Sequence, residues 1–172
     1  GKNVIGKLGF DVPDELLLAA GMFPVQVCAD AGKPLAEANK YLENAFESVV
    51  RAQFEKLVDG TYGELLDGLA ISNSNDTIIR IFYYLREIHR VEPEKNVPPV
   101  TFIDWTFTRS RLWQNRCEFV IELFKQQVEQ WAGRTVSDDE IRAAGKLMNE
   151  NRAALRAMAA LRHGEEVRIN GS

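Results

Sequence analysis

Val4-Ile5-Gly6-Lys7-Leu8-Gly9-Phe10-Asp11-Val12-Pro13-Asp14-Glu15-Leu16-Leu17-Leu18-Ala19-Ala20-Gly21-Met22-Phe23-Pro24-Val25-Gln26-Val27-Cys28 is the stretch whose reading decides the fold. Its first seven residues form a short, mostly apolar run of strand length. Pro13-Asp14-Glu15 opens a helix, because proline suits the first turn and acids suit the positive helix end. Gly21 is the residue type that closes such a helix. Phe23 to Cys28 is a second strand. A strand, a short helix and a second strand so close together require a crossover, and crossovers make parallel pairs.

The pattern repeats along the chain. Residues 44 to 58 are expected to be helical, with Phe46, Val49, Val50, Phe54, Leu57 and Val58 on one face and Asp59-Gly60 as the stop. Leu66 to Ile71 reads as a third strand, followed by the turn Ser72-Asn73-Ser74-Asn75. Asn75 or Ser74 caps the next helix, which runs to about His89 on a stripe of Ile78, Ile79, Phe82 and Leu85. Pro93, Pro98 and Pro99 mark a loop, and Val100 to Trp105 is a fourth strand. Two long helices follow. One spans about Arg109 to Trp131, with Leu112, Phe119, Val120, Leu123, Val128 and Trp131 as its apolar side, and Gly133 ends it. The other opens with the capping box Ser137-Asp138-Asp139-Glu140 and has a stripe of Ile141, Ala144, Leu147, Met148, Leu155, Met158 and Leu161. The expectation is an α/β chain: a three-layer flavodoxin-like domain with a four-stranded parallel sheet and two long C-terminal helices.

Composition narrows the function. The chain has 172 residues, 45% hydrophobic and 27% charged, which is an ordinary globular balance for one domain. The net charge of −4 and the absence of a basic stripe argue against nucleic acid as a partner. No apolar run has the length of a membrane helix, and no apolar leader opens the sequence, so a cytoplasmic location is expected. Cys28 and Cys117 have apolar neighbours and are expected to be buried, reduced thiols. With His89 and His163 they form no zinc spacing.

Open α/β sheets bind ligands beyond the carboxyl ends of their strands. Here those ends are Gly9-Phe10-Asp11, Cys28-Ala29-Asp30, Ser72 to Asp76, and Trp105-Thr106-Phe107-Thr108-Arg109. The set holds hydroxyls, amides and carboxylates but no histidine. Glu47, at the start of the second helix, is expected to face the same crevice. Asp30 and Asp76 are candidate acids or bases, or else turn and cap residues. Trp105 is either packing or a pocket wall. Arg109 either pairs with a phosphate or carboxylate or is a solvated charge. Glycine-rich phosphate loops and a nucleophile elbow are absent, and acids follow the first strand where a flavin phosphate needs donors. Both histidines fall at predicted helix C-termini, where a cation complements the helix dipole.

The stretch from Val12 to Val25 resembles a Pro-x-Glu-Leu-Ile-x-Ala-Ala-Gly-x-x-Pro signature found in subunits of the 2-hydroxyacyl-CoA dehydratases and benzoyl-CoA reductases. Gly60-Thr61-Tyr62-Gly63-Glu64-Leu65-Leu66-Asp67, Asn75-Asp76-Thr77-Ile78-Ile79-Arg80, the pair Gly133 to Val136 and Asn149 to Arg152, and Ile169-Asn170-Gly171-Ser172 resemble later family steps in the same order. The resemblance implies that residues 1–172 are one domain, the N-terminal half of a two-domain subunit. It implies acyl-CoA thioester substrates, one-electron reductive chemistry, an iron–sulfur cluster, a homologous partner subunit and an ATP-dependent activator protein. If the chain is part of such an enzyme, Ser72, Asn73, Asn75, Trp105 and Arg109 are expected to line the substrate, with Glu47 and Asp76 as catalytic carboxylates.

The sequence departs from the family at one point. The two cluster-cysteine positions of this domain are occupied by Glu47 and Asn75, and iron–sulfur clusters are held mainly by thiolates. Three readings follow: a catalytic part of such an enzyme, a cluster-free structural or regulatory paralogue that keeps the subunit interface, and an unrelated flavodoxin-like binding module.

Overall fold

The structure is a computed structural model in which residues 3–28 and 32–162 are described. Asp30, His163 and the stretch Ile169 to Ser172, each singled out above, lie outside the described residues. The strands are β1 (Val4–Leu8), β2 (Phe23–Gln26), β3 (Gly68–Ser72) and β4 (Val100–Ile103). All pairings are parallel, in the order β2-β1-β3-β4. The helices are α1 (Asp14–Ala19), α2 (Ala38–Tyr41), α3 (Ser48–Val58), α4 (Asp76–Val91), α5 (Arg111–Ala132) and α6 (Asp138–Ala160), with a short 3-10 turn at Pro93–Lys95. The expected α/β class, parallel sheet and two long C-terminal helices are all present. No described helix is long and apolar enough to cross a membrane.

Two apolar clusters sandwich the sheet. On one face Phe54, Leu57 and Val58 of α3 and Ile78, Ile81, Leu85 and Ile88 of α4 pack against Leu8, Leu69 and Ile71. On the other, Leu16 and Leu17 of α1 and Val120, Phe124 and Val128 of α5 pack against Ile5, Ala70 and Ile103. Central strand β3 is buried at every position, as a parallel strand covered on both faces should be. At its start, a Cβ on Gly68 would lie 2.8 Å from the Trp131 ring, so the indole of α5 rests directly on strand backbone.

Short helix α2 was not legible as a helix. Four residues cannot hold a helix by themselves, and two buried side chains of α3 hold this one. The Glu55 carboxylate accepts from the backbone nitrogens of Glu37 (3.1 Å) and Ala38 (2.7 Å). Arg51 donates to the carbonyls of Leu42 (3.2 Å) and Glu43 (2.6 Å) and to the Asn39 side chain. Tyr41 then packs edge-on against Phe54, and its hydroxyl donates to Glu92 at 2.7 Å. Helix α3 accordingly begins at Ser48, later than the expected residue 44.

Other differences concern which faces are covered. The buried stripe of α4 is Ile78, Ile81, Leu85 and Ile88, while Ile79 and Phe82 are half-buried. On α5 only Val120, Phe124 and Val128 are buried, and Leu112, Phe119 and Leu123 face solvent. On α6 only Ala144 is buried, and Leu147, Leu155, Met158 and Leu161 are exposed. Helix α6 packs on α1 rather than on the sheet, and Arg134 ties it there by donating to the Ala19 carbonyl and pairing with Glu140, both at 2.9 Å. Both cysteines are free as expected, but Cys28 is exposed and Cys117 half-buried. They lie in the edge region beyond β2 and in the first turns of α5, not in the core.

Two measurements test this packing. Gly68→Ala forces a methyl into the Trp131 ring and should cost about 1–3 kcal/mol in urea unfolding, part of it recovered when Trp131→Leu is added. Burial and, after it, the hydrogen bond to Glu92 push the Tyr41 hydroxyl from 10.0 up to about 12. The folded chain therefore keeps a proton that the unfolded chain has lost, so this contribution is complete below about pH 10 and disappears as pH rises towards 12. Unfolding midpoints of wild type and Tyr41→Phe at about pH 9 and about pH 11.5 should show the larger alkaline loss in wild type.

Candidate functional site at the carboxyl edge of the sheet

The chain steps from β1 to β2 on one side, then returns across β1 to β3. The switch point of the sheet lies between β1 and β3, where open α/β folds take their ligands. The loops that leave these two strands touch. Gly9 has a φ of 104°, and a Cβ there would stand 2.1 Å from Ser72 Oγ and 2.6 Å from Ser74 Oγ. Only glycine meets both demands.

Behind that contact is a polar knot. The Asp11 carboxylate accepts from Ser72 Oγ and, at 2.7 Å, from Ser74 Oγ, and the two hydroxyls lie 2.9 Å apart. Ser74 Oγ also accepts from the Phe10 backbone nitrogen at 3.0 Å. The Trp105 indole donates to the Asp11 carbonyl at 2.9 Å. Asn73 joins β3 to β4: its amide donates to the Trp105 carbonyl (2.7 Å) and to Asp104 (3.0 Å), and its side-chain oxygen accepts from the Trp105 nitrogen (3.0 Å). Three strand ends are thus fastened by side chains where the ladder stops. Ser72 is fully buried, so its hydroxyl fastens the rim from beneath.

The remaining predicted residues fall around this knot. Asn75 is the N-cap of α4, its side chain accepting from the Ile78 nitrogen at 2.8 Å. Asp76 is exposed in the first turn of α4. Glu47 is exposed at the N-cap position of α3 and makes no side-chain cap bond. Because α3 and α4 cover the same face and both lead back to a parallel strand, their N-termini lie towards the same sheet edge. Arg109 lines a cleft of about 500 Å³ beyond β4, with Thr106, Thr108, Ser110, Arg111, Trp113, Gln114 and Cys117. Ser110 caps α5, whose first turn carries no acid. The sequence places Asp11 and Ser74 at the expected ligand edge without a role of their own, and does not single out Arg111. The Ser-x-Ser spacing after β3 opposite a Gly-Phe-Asp turn is the signal that points to the first two.

The donor set bears on the cluster implied by the family resemblance. Glu47 and Asn75 are not thiolates, and Asn75 is engaged as a cap. Among the described residues no group of three or more His, Cys, Asp or Glu side chains is placed to hold a metal ion. The described side chains of this chain do not by themselves fit a thiolate-held cluster.

A family model described as 2-hydroxyglutaryl-CoA dehydratase, D-component, matches residues 10–172. The (R)-phenyllactyl-CoA dehydratase beta subunit of Clostridium sporogenes is 27% identical over 158 residues, covering 90% of this chain and 40% of that protein. The (R)-2-hydroxyglutaryl-CoA dehydratase subunit beta of Acidaminococcus fermentans is 29% identical over 166 residues, 94% of this chain and 41% of its own length. For the lactoyl-CoA dehydratase subunit beta of Anaerotignum propionicum the figures are 27% over 159 residues, 91% and 39%. The chain spans about two fifths of the length of these curated relatives. With a match from the first edge loop to the last residue, this chain belongs to the 2-hydroxyglutaryl-CoA dehydratase D-component family.

Proposed function

We propose that this chain binds an acyl-CoA thioester at the carboxyl edge of its sheet, as part of a 2-hydroxyacyl-CoA dehydratase subunit. The observation that carries the reading is the family match over residues 10–172, which takes in the loops after all four strands. The cleft beyond β4 supports it: a volume of about 500 Å³ suits part of a cofactor-sized ligand. Arg109 and Arg111 there offer two guanidinium groups to the phosphates of CoA. Trp105 walls the edge, and Ser72, Asn73 and Asn75 shape the loops from which substrate groups are met. Glu47 and Asp76 are the exposed carboxylates available for proton transfer.

One-electron reductive chemistry requires an electron donor that these side chains do not supply. A homologous partner subunit, and an ATP-dependent activator that feeds it electrons, therefore belong to the proposal. Two free cysteines suit a reducing, cytoplasmic setting. The lack of thiolates at Glu47 and Asn75 favours a second reading, a cluster-free paralogue that keeps the fold and the subunit interface without the redox activity.

Two experiments decide. In equilibrium dialysis, free CoA and acyl-CoA should both bind, and Arg109→Ala with Arg111→Ala should weaken both by about tenfold or more, as expected for lost charge-assisted bonds. No binding by the wild-type chain rejects the acyl-CoA reading. Anaerobic purification with iron analysis separates the two forms of the proposal. Stoichiometric iron with absorbance near 400 nm supports the redox subunit; a colourless, iron-free protein that binds CoA supports the paralogue.

A further inference from the structure

Phe10 is 95% exposed, the most exposed large apolar side chain among the described residues. An exposed phenylalanine on a slack loop needs no explanation, but this loop is fastened on every side. The Phe10 nitrogen donates to Ser74 Oγ, the Asp11 side chain accepts from both Ser72 and Ser74, and the Asp11 carbonyl accepts from Trp105. Gly9 is held in a left-handed conformation against Ser72, and Val12 is buried in the core. The backbone on both sides of the ring is therefore set, and it presents the ring to solvent at the switch point of the sheet.

A second exposed ring lies on the loop after β4. Phe107, 74% exposed, leaves the carboxyl end of β4. Strands β1 and β4 flank β3, so the two loops leave the sheet on either side of the one that follows β3. Phe107 also sits between Thr106 and Thr108, which both line the cleft containing Arg109 and Arg111. Phe107 is thus flanked in the chain by residues of the cationic cleft.

We infer that Phe10, together with Phe107, contacts the acyl group of the thioester and sets which acyl groups the site accepts. This inference rests on the acyl-CoA reading. The arginine cleft takes the charged end of the ligand, and the two phenyl rings take its apolar end. Asp11, Ser72 and Ser74 are positioning residues that act through Phe10.

The test is calorimetric titration of the chain with free CoA, acetyl-CoA, butyryl-CoA and hexanoyl-CoA. Wild type should gain affinity with acyl length, up to roughly fourfold per methylene where the chain is fully covered. Phe10→Ala should lose at least half of that gain, Phe10→Leu should keep most of it, and Phe107→Ala should also flatten the series. Circular dichroism confirms that each variant is folded, which the exposure of both rings leads one to expect. A Phe10→Ala series parallel to wild type overturns the inference. So does a wild type that binds CoA with no dependence on acyl length, and this outcome leaves the CoA reading standing. A wild type that binds neither CoA nor thioester fails the functional reading itself. Sedimentation showing a self-association that Phe10→Ala abolishes, with the acyl series unaltered, makes a second copy the occupant and also overturns it.

Discussion

The contact between Gly9 and the two serines at the end of β3 constrains everything at the carboxyl edge of the sheet. Adjacent parallel strands separate once their ladder ends, because their loops lead to helices on opposite faces. Here β1 leads to α1 on one face and β3 leads to α4 on the other. Without a tether the loops would splay and the switch point would be an open notch. The missing Cβ at Gly9 lets the backbones close, and the Asp11 carboxylate then locks both hydroxyls of the opposite loop. A hydrogen bond to an ionised acceptor is roughly twice as strong as a neutral one, so one side chain is enough to fix two loops.

The tether divides the rim into groups that fasten and groups that face outward. Ser72, Asn73, Ser74, Asn75 and Asp11 have their polar atoms engaged with neighbouring loops or with a helix end. Phe10, Phe107, Arg109, Arg111, Glu47 and Asp76 are exposed around them. Such a layout preorganises a surface, since the outward groups are carried on backbone that has already lost its freedom. The groups that project are two phenyl rings, two guanidinium groups and two carboxylates.

The layers and strand order were legible because each element carried its own signal. Pro13 with two acids, the Asn75 cap and the Ser137–Glu140 box each act within a few residues, and all three appear in the structure as read. What escaped depends on contacts distant in sequence. Helix α2 exists because Arg51 and Glu55 reach back to it. The rim knot joins Asp11 to residues 61 and 63 positions away. Periodicity also states that a helix has an apolar face without stating what covers it. It thus marked Leu112, Phe119 and Leu123 on α5 and Leu147, Leu155 and Met158 on α6 as core, although all are exposed. Cys28 misled in the same way: apolar neighbours in a strand do not bury a residue just beyond the strand's end.

Those exposed stripes bear on how the edge functions. Helix α6 is anchored to α1 near its start, through Ala144 and the Arg134–Glu140 pair, and again by Arg152 reaching Glu15. The apolar stripe beyond Ala144 continues on the same helical face without cover in this chain. The relatives are about two and a half times as long as the stretch that matches. The carboxyl edge supplies cations, rings, hydroxyls and carboxylates but no thiolate set. Long helices with uncovered apolar faces are physically suited to pack against a neighbouring body. The knot of Asp11, Ser72 and Ser74 involves neither Glu47 nor Asn75, so the architecture of the rim is independent of which side chains stand at those two positions.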